Sequence, residues 1–172
     1  MPKLLLTGGS GLVGRNIQNH YASNKWNIIA PSSNDLNLMD YISVKSFFNE
    51  CKPDIVLHCA GRVGGISANI EEPVAFLDSN IVIGRNVIMG AREAKIKKLI
   101  NLASTCIYPR EAQNPLKEKY ILEGKLEPRE FPENASLAAC SEFLAEFSPW
   151  SIEVVRLANV IFKSLILLVS IF

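Results

Sequence analysis

The chain has 172 residues, 48% hydrophobic and 20% charged, which is enough apolar material for one domain with its own core and excludes a disordered chain. Lys and Arg number 18 and Asp and Glu 17, for a formal net charge of +1; this excludes the strongly basic balance of a nucleic-acid or anionic-membrane binder. Cys51, Cys59, Cys106 and Cys140 form no C-x-x-C pair and His20 and His58 stand far apart, so no metal site is expected, and reduced thiols in a cytoplasmic protein are the simplest reading.

Leu4–Leu6 is an apolar run that ends in glycines, the pattern of a buried parallel strand entering a tight turn and too short for a secretory signal. Leu12, Val13, Ile17 and Tyr21 then recur at helical spacing, and Trp26–Pro31 is a second short strand. Val44, Phe47 and Phe48 mark a further helical face before a third strand over Pro53–Gly61. A long helix is predicted over Val74–Ala94, with an apolar stripe of Phe76, Leu77, Ile81, Ile83, Val87, Ile88 and Ala91. Lys97–Ser104 and Ile152–Phe162 read as strands, and the charged, proline-bearing stretch Pro109–Pro132 as a long loop over the sheet edge. Strands alternating with helices, without repeats, predict a doubly wound, Rossmann-type parallel sheet with helices on both faces. This domain is expected over residues 1–162, followed by an apolar tail at 163–172. Its apolar run Ser164–Phe172 is preceded by Lys163 and Arg156, and a membrane span needs about twenty apolar residues, so it reads as a buried strand or helix cut short.

The stretch "TGGSGLVG" (Thr7–Gly14) carries chemistry. Gly8, Gly11 and Gly14 fall between a strand and a helix. Gly8 permits a turn that a side chain would obstruct, Gly11 lets backbone approach a pyrophosphate, and Gly14 lets the helix pack close to the strand. Free N–H groups at the helix start meet phosphate charge. A glycine turn that binds nothing is the competing reading; the placement after a strand and before a helix weighs against it. At the end of the second strand, Pro31-Ser32-Ser33-Asn34 offers no carboxylate to grip a ribose 2′-hydroxyl. With those serines and nearby Arg15 available to a 2′-phosphate, the residues lean toward NADP over NAD.

The glycine loop, together with "AGRVGGISAN" (Ala60–Asn69), Asn86–Val87, "NLASTCIYP" (Asn101–Pro109) and "NPLKEKYILEGKLEP" (Asn114–Pro128), resembles the GDP-L-fucose synthase family of extended short-chain dehydrogenase/reductases. These are NADP-dependent nucleotide-sugar epimerases and reductases. The resemblance runs from about residue 3 to 128 and resumes weakly near Glu153–Val160. It implies that Gly8, Gly9, Ser10, Gly11, Leu12, Val13 and Gly14 cradle the pyrophosphate, and that Ser33, Asp35, Leu36 and Leu38 lie along the adenosine end. Ala60, Gly61, Leu102, Ala103, Thr105 and Asn159 would complete the cofactor site. It further implies that Ser104 polarises a sugar carbonyl and that Cys106 is the acid/base of epimerisation; without the surrounding motif, Cys106 would read as a small buried hydrophobe. The substrate class so implied is a GDP-linked deoxyhexose, with neither nucleic acid nor membrane as partner and room for a homodimer.

The family's Tyr-x-x-x-Lys pair should follow the "LEP" segment on a helix, where four-residue spacing puts both side chains on one face. The corresponding stretch "REFPENASLAACSEFLAEF" (Arg129–Phe147) has neither Tyr nor Lys, and the Gly-Pro expected after Asn159 is replaced by Phe162-Lys163. The chain is therefore expected to lack the family's substrate domain. Two functions are carried forward: a nucleotide-sugar epimerase/reductase impaired in this chain by truncation or divergence, and a nucleotide-binding module without turnover.

Overall fold

A computed structural model of the chain describes residues 1–64, 66–103, 108, 109, 111, 113–115, 117, 120 and 152–156. Strand β1 (Lys3–Thr7) leads through the glycine turn into helix α1 (Leu12–Asn19), a single 3-10 turn (Tyr21–Lys25) and strand β2 (Asn27–Ile29). Helix α2 (Tyr41–Cys51), strand β3 (Ile55–His58), the short helix α3 (Ile66–Glu71), the long helix α4 (Pro73–Glu93) and strands β4 (Lys98–Ala103) and β5 (Ile152–Arg156) follow. The sheet order is β2-β1-β3-β4-β5, and all four pairings are parallel. The chain steps outward from β1 to β2, then crosses back over β1 to lay β3 on its other side. That reversal makes the crevice between the carboxyl ends of β1 and β3 the place where such sheets bind ligands.

The pleat of β1 explains why both faces are covered. Leu4 and Leu6 point to one side, with Ile17 of α1, Leu57 and Ile100. Leu5 points to the other, with Val56, Leu99, Val44 and Phe48 of α2, and Val87 and Ala91 of α4. All three leucines are at most 1% exposed, as befits a central strand of a parallel sheet. The expected doubly wound architecture is the observed one. Asp40 starts α2 by accepting the Ile42 N–H with its side chain, a favourable N-cap arrangement.

The helical stripes are where burial departs from the sequence reading. Of the first apolar stripe only Ile17 is buried and Val13 packs partly, whereas Leu12 is 82% exposed and Tyr21, in the following turn, 70%. The helix stops at Asn19, because His20 turns extended and its ring accepts the Ala22 N–H. In α4, Phe76, Asn80, Gly84, Val87 and Ala91 share the inward face with Asn86 and Gly90, while Leu77 and Ile81 lie on the open side. Two buried asparagines are tolerated there because their amides bond to backbone. The short α3, six residues long, is an element the sequence reading did not assign. Strand β5 begins where expected; residues 157–172 and most of the stretch read as a long loop lie outside the described residues.

Candidate functional site

The site is built on the turn after β1. Gly8 has φ +74°, and a Cβ there would lie 2.7 Å from the backbone of both Cys59 and Ala60. The chain thus turns in the left-handed region, directly against the backbone leaving β3, a position for which glycine is required. The Gly11 N–H donates to the Gly8 carbonyl at 3.0 Å, and the Arg15 N–H donates to the Gly11 carbonyl at 3.0 Å as α1 begins. A Cβ on Gly14 would overlap the Gly8 carbonyl oxygen and come within 2.6 Å of Gly9 Cα. The start of α1 is therefore pressed onto the loop, which brings its dipole to the floor of the crevice.

Above this loop lies a cleft of about 530 Å³, within the range of small-molecule sites. Its floor is Thr7, Gly8, Ser10, Gly11, Leu12, Val13 and Gly14. One wall is Pro31–Ser33 with Leu36–Met39, the other Cys59–Val63, and Ile83 of α4 closes the back.

Beneath the floor, Thr7 Oγ1 and His58 Nδ1 share a hydrogen bond of 2.6 Å between residues paired directly across β1 and β3. Both are buried, and burial pushes the His58 pKa down from 6.5 to about 4. The unfolded chain then takes up a proton on this ring between pH 6.5 and pH 4 that the folded chain refuses. Stability is full above pH 6.5 and is expected to fall by about 3 kcal/mol toward pH 4. Urea unfolding across that range should show the loss in the unaltered chain and a flatter profile for His58→Asn; identical profiles would contradict it. Cys59, on the wall, has its thiol pushed up to about 12 by burial and stays protonated.

At the end of β2, Ser33 faces the cleft but Asp35 does not. The Asp35 carboxylate accepts the Ser32 N–H at 3.0 Å and its hydroxyl at 2.6 Å, which holds its pKa below the usual value. No carboxylate from Asp35 is thus presented to a ribose. Arg15 also stays away from this end: its Nε donates to the Ser10 carbonyl at 2.6 Å, and it does not line the cleft. On the opposite wall the Arg62 guanidinium lies 4.6 Å over the Phe76 ring and pairs with Glu72.

Of the residues expected at the cofactor, Gly8, Ser10, Gly11, Leu12, Val13, Gly14, Ser33, Leu36, Leu38, Ala60 and Gly61 meet on this one cleft. Gly9 lies behind it, against Ala30, with its carbonyl accepting from Gln18 Nε2 at 2.8 Å. Leu102 packs on the core beside α1 and does not line the cleft, while Ala103 is the last residue of β4. Ser104, Thr105, Cys106 and Asn159 lie outside the described residues. Thr7, Asn37, Arg62 and Val63 line the cleft too, inside or beside the stretches that pointed to the crevice, whereas Met39, Cys59 and Ile83 line it without having been singled out for it. Met39 could have been found by extending the Ser33–Leu38 run by one residue, whereas Ile83 reads from sequence as plain core. Among the described residues no three His, Cys, Asp or Glu side chains converge as a metal site would require.

A concave cleft at a sheet reversal, floored by a left-handed glycine and a helix start, with hydroxyls on its rim, fits a dinucleotide held by its pyrophosphate. Comparison with known proteins agrees. The family model described as NAD dependent epimerase/dehydratase family matches residues 4–139. The chain is 46% identical over 125 residues to a GDP-L-fucose synthase of Azorhizobium caulinodans, covering 73% of this chain and 40% of that protein. It is 43% identical to a GDP-L-colitose synthase of Yersinia pseudotuberculosis, covering 73% of this chain and 41% of that one. Among solved structures, a GDP-mannoheptose C4 reductase from Campylobacter jejuni with NADP bound superposes with a TM-score of 0.77 at 27% identity, covering 90% of this chain and 50% of that one. A GDP-L-fucose synthetase from Naegleria fowleri bound to NADP gives 0.70 at 25% identity, covering 83% and 46%. The chain spans about 40% of the length of the curated relatives it matches. With the glycine loop, the reversal of strand order and the family match all falling on one stretch of sequence, this chain belongs to the NAD dependent epimerase/dehydratase family.

Proposed function

We propose that the cleft holds NADP and that the chain is the cofactor-binding part of an epimerase/reductase acting on a GDP-linked deoxyhexose. The observation that carries the cofactor is the pairing of Gly8 and Gly14: both are sterically obligatory, and together they hold a helix start against a tight loop. NADP is favoured over NAD because Ser33, not an acid, faces the cleft at the end of β2, while Asp35 is engaged by Ser32. The substrate class rests on the relatives named above, synthases and reductases of GDP-sugars. The bound cofactor would supply a hydride. Ser104 would donate a hydrogen bond to the sugar carbonyl, and the Cys106 thiol would carry the proton exchanged at the adjacent carbon.

Calorimetric titration of the chain is expected to give at least tenfold tighter binding of NADPH than of NADH, a difference of about 1.4 kcal/mol. Equal affinities, or a preference for NADH, would show that the serines do not favour a 2′-phosphate. A second reading, nucleotide binding without turnover, is favoured by one feature: the stretch Arg129–Phe147 carries no Tyr or Lys.

A further inference from the structure

Helix α4 touches both walls of the cleft, and does so through two buried amides. Asn80, 5% exposed, grips one residue of the β3-side wall twice: its Oδ1 accepts the Arg62 N–H at 2.8 Å and its Nδ2 donates to the Arg62 carbonyl at 3.0 Å. Asn86, 2% exposed, grips the β2-side wall, its Nδ2 donating to the carbonyls of Leu38 at 2.9 Å and Met39 at 3.2 Å. Its Oδ1 accepts from Arg85 Nη1 at 3.1 Å, which fixes which way the amide faces. Six residues of helix separate the two amides by about 9 Å, and Ile83, midway between them, reaches the cleft itself.

Arg62 and Met39 are exposed residues whose backbone groups water could satisfy. What the buried amides add is position: they hold two loops at a fixed spacing set by a rigid helix. In folds of this kind the adenosine ribose lies at the end of the second strand, which leaves the β3 side to the other half of a dinucleotide. On the reading that the cleft holds NADP, we propose that Asn80 and Asn86 are positioning residues for the two halves of the cofactor: Asn86 sets the adenosine half through Leu38 and Met39, and Asn80 the nicotinamide half through Arg62.

The test uses the full chain, calorimetry, and two probes, NADPH and adenosine 2′,5′-bisphosphate, which carries the adenosine half alone. Asn86→Ala is expected to weaken both probes by a similar factor, roughly 5- to 20-fold for two lost hydrogen bonds. Asn80→Ala is expected to weaken NADPH by a similar factor and leave the bisphosphate within about twofold. Asn80→Ser and Asn86→Ser serve if either alanine variant fails to fold, and thermal midpoints without ligand report the structural cost separately. A purely structural role would move both probes together with the folded fraction, in both variants. Equal weakening of the two probes by the Asn80 substitution, or no weakening by either substitution, overturns the inference while leaving the cofactor reading intact. If the unaltered chain binds neither probe, the cofactor reading fails and the inference falls with it.

Discussion

A Gly14→Ala chain is expected to be less stable than the unaltered one by roughly 1–3 kcal/mol or more and to lose measurable affinity for NADPH. The sign matters, because alanine within a helix ordinarily gains about 1 kcal/mol over glycine. Here the new methyl would sit inside contact distance of Gly9 Cα, Gly8 C and the Gly8 carbonyl oxygen, all of them backbone. No side chain can move aside, so α1 must retreat from the loop or the loop must change its turn. Gly11→Ala is the control, since its methyl would meet only the Gly8 carbonyl oxygen, at 3.3 Å. It is expected to keep its thermal midpoint nearly unchanged while binding NADPH more weakly, because that methyl occupies the cleft floor. A Gly14→Ala chain as stable as the unaltered one, by urea unfolding, would mean the helix does not press on the loop as described.

Hydride transfer by this chain to a GDP-4-keto-6-deoxy sugar is expected to be slower than in a relative with an intact Tyr-x-x-x-Lys pair, by at least the 10²–10⁴-fold that a positioned general acid typically contributes. The stretch Arg129–Phe147 supplies no phenol or amine to protonate the oxygen left when hydride reaches carbon. In the role proposed for it, Ser104 would donate a hydrogen bond there, but an alcohol does not give up its proton near neutral pH as a tuned phenol does. Stereospecific transfer from deuterated NADPH, followed alongside solvent exchange at the sugar carbons, separates reduction from the proton exchange assigned to Cys106. Exchange without reduction fits the proposal; turnover on the order of one per second, an ordinary enzymatic rate, would mean that another group supplies the acid. Tyr108, which is buried, and Tyr120 are then the first to replace by Phe.

The parts of this architecture legible in the sequence were those governed by short-range rules. The apolar runs of β1, β3 and β4 and the glycine spacing each carry their own signal; the structure extends β1 by one residue at each end, shortens β4 by one at each end, and shortens β3 by two and three. What periodicity could not reveal was which side of a helix is inward. Leu77 and Ile81 read as core yet stay open, because packing on the sheet rotates α4 so that Asn80 and Asn86 enter instead. The Thr7–His58 bond and the engagement of Asp35 by Ser32 were equally hidden. The first depends on the register of strands 51 residues apart. The second depends on a local turn, which leaves a nearby carboxylate in the sequence without presenting it to the cleft.

The central place of β1 has a consequence for how this protein is made. Its leucines serve both faces of the sheet, yet the β3 residue paired with Thr7 is 51 residues further along the chain. At ribosomal speeds of about 5–20 residues per second, the strand waits roughly 3–10 s for that partner to emerge. Through that interval Leu4, Leu5 and Leu6 form an adhesive edge with no finished sheet to enter. Protection of the nascent segment, by a chaperone or by transient collapse onto α1, therefore bears on the yield of native protein as directly as any contact in the finished fold.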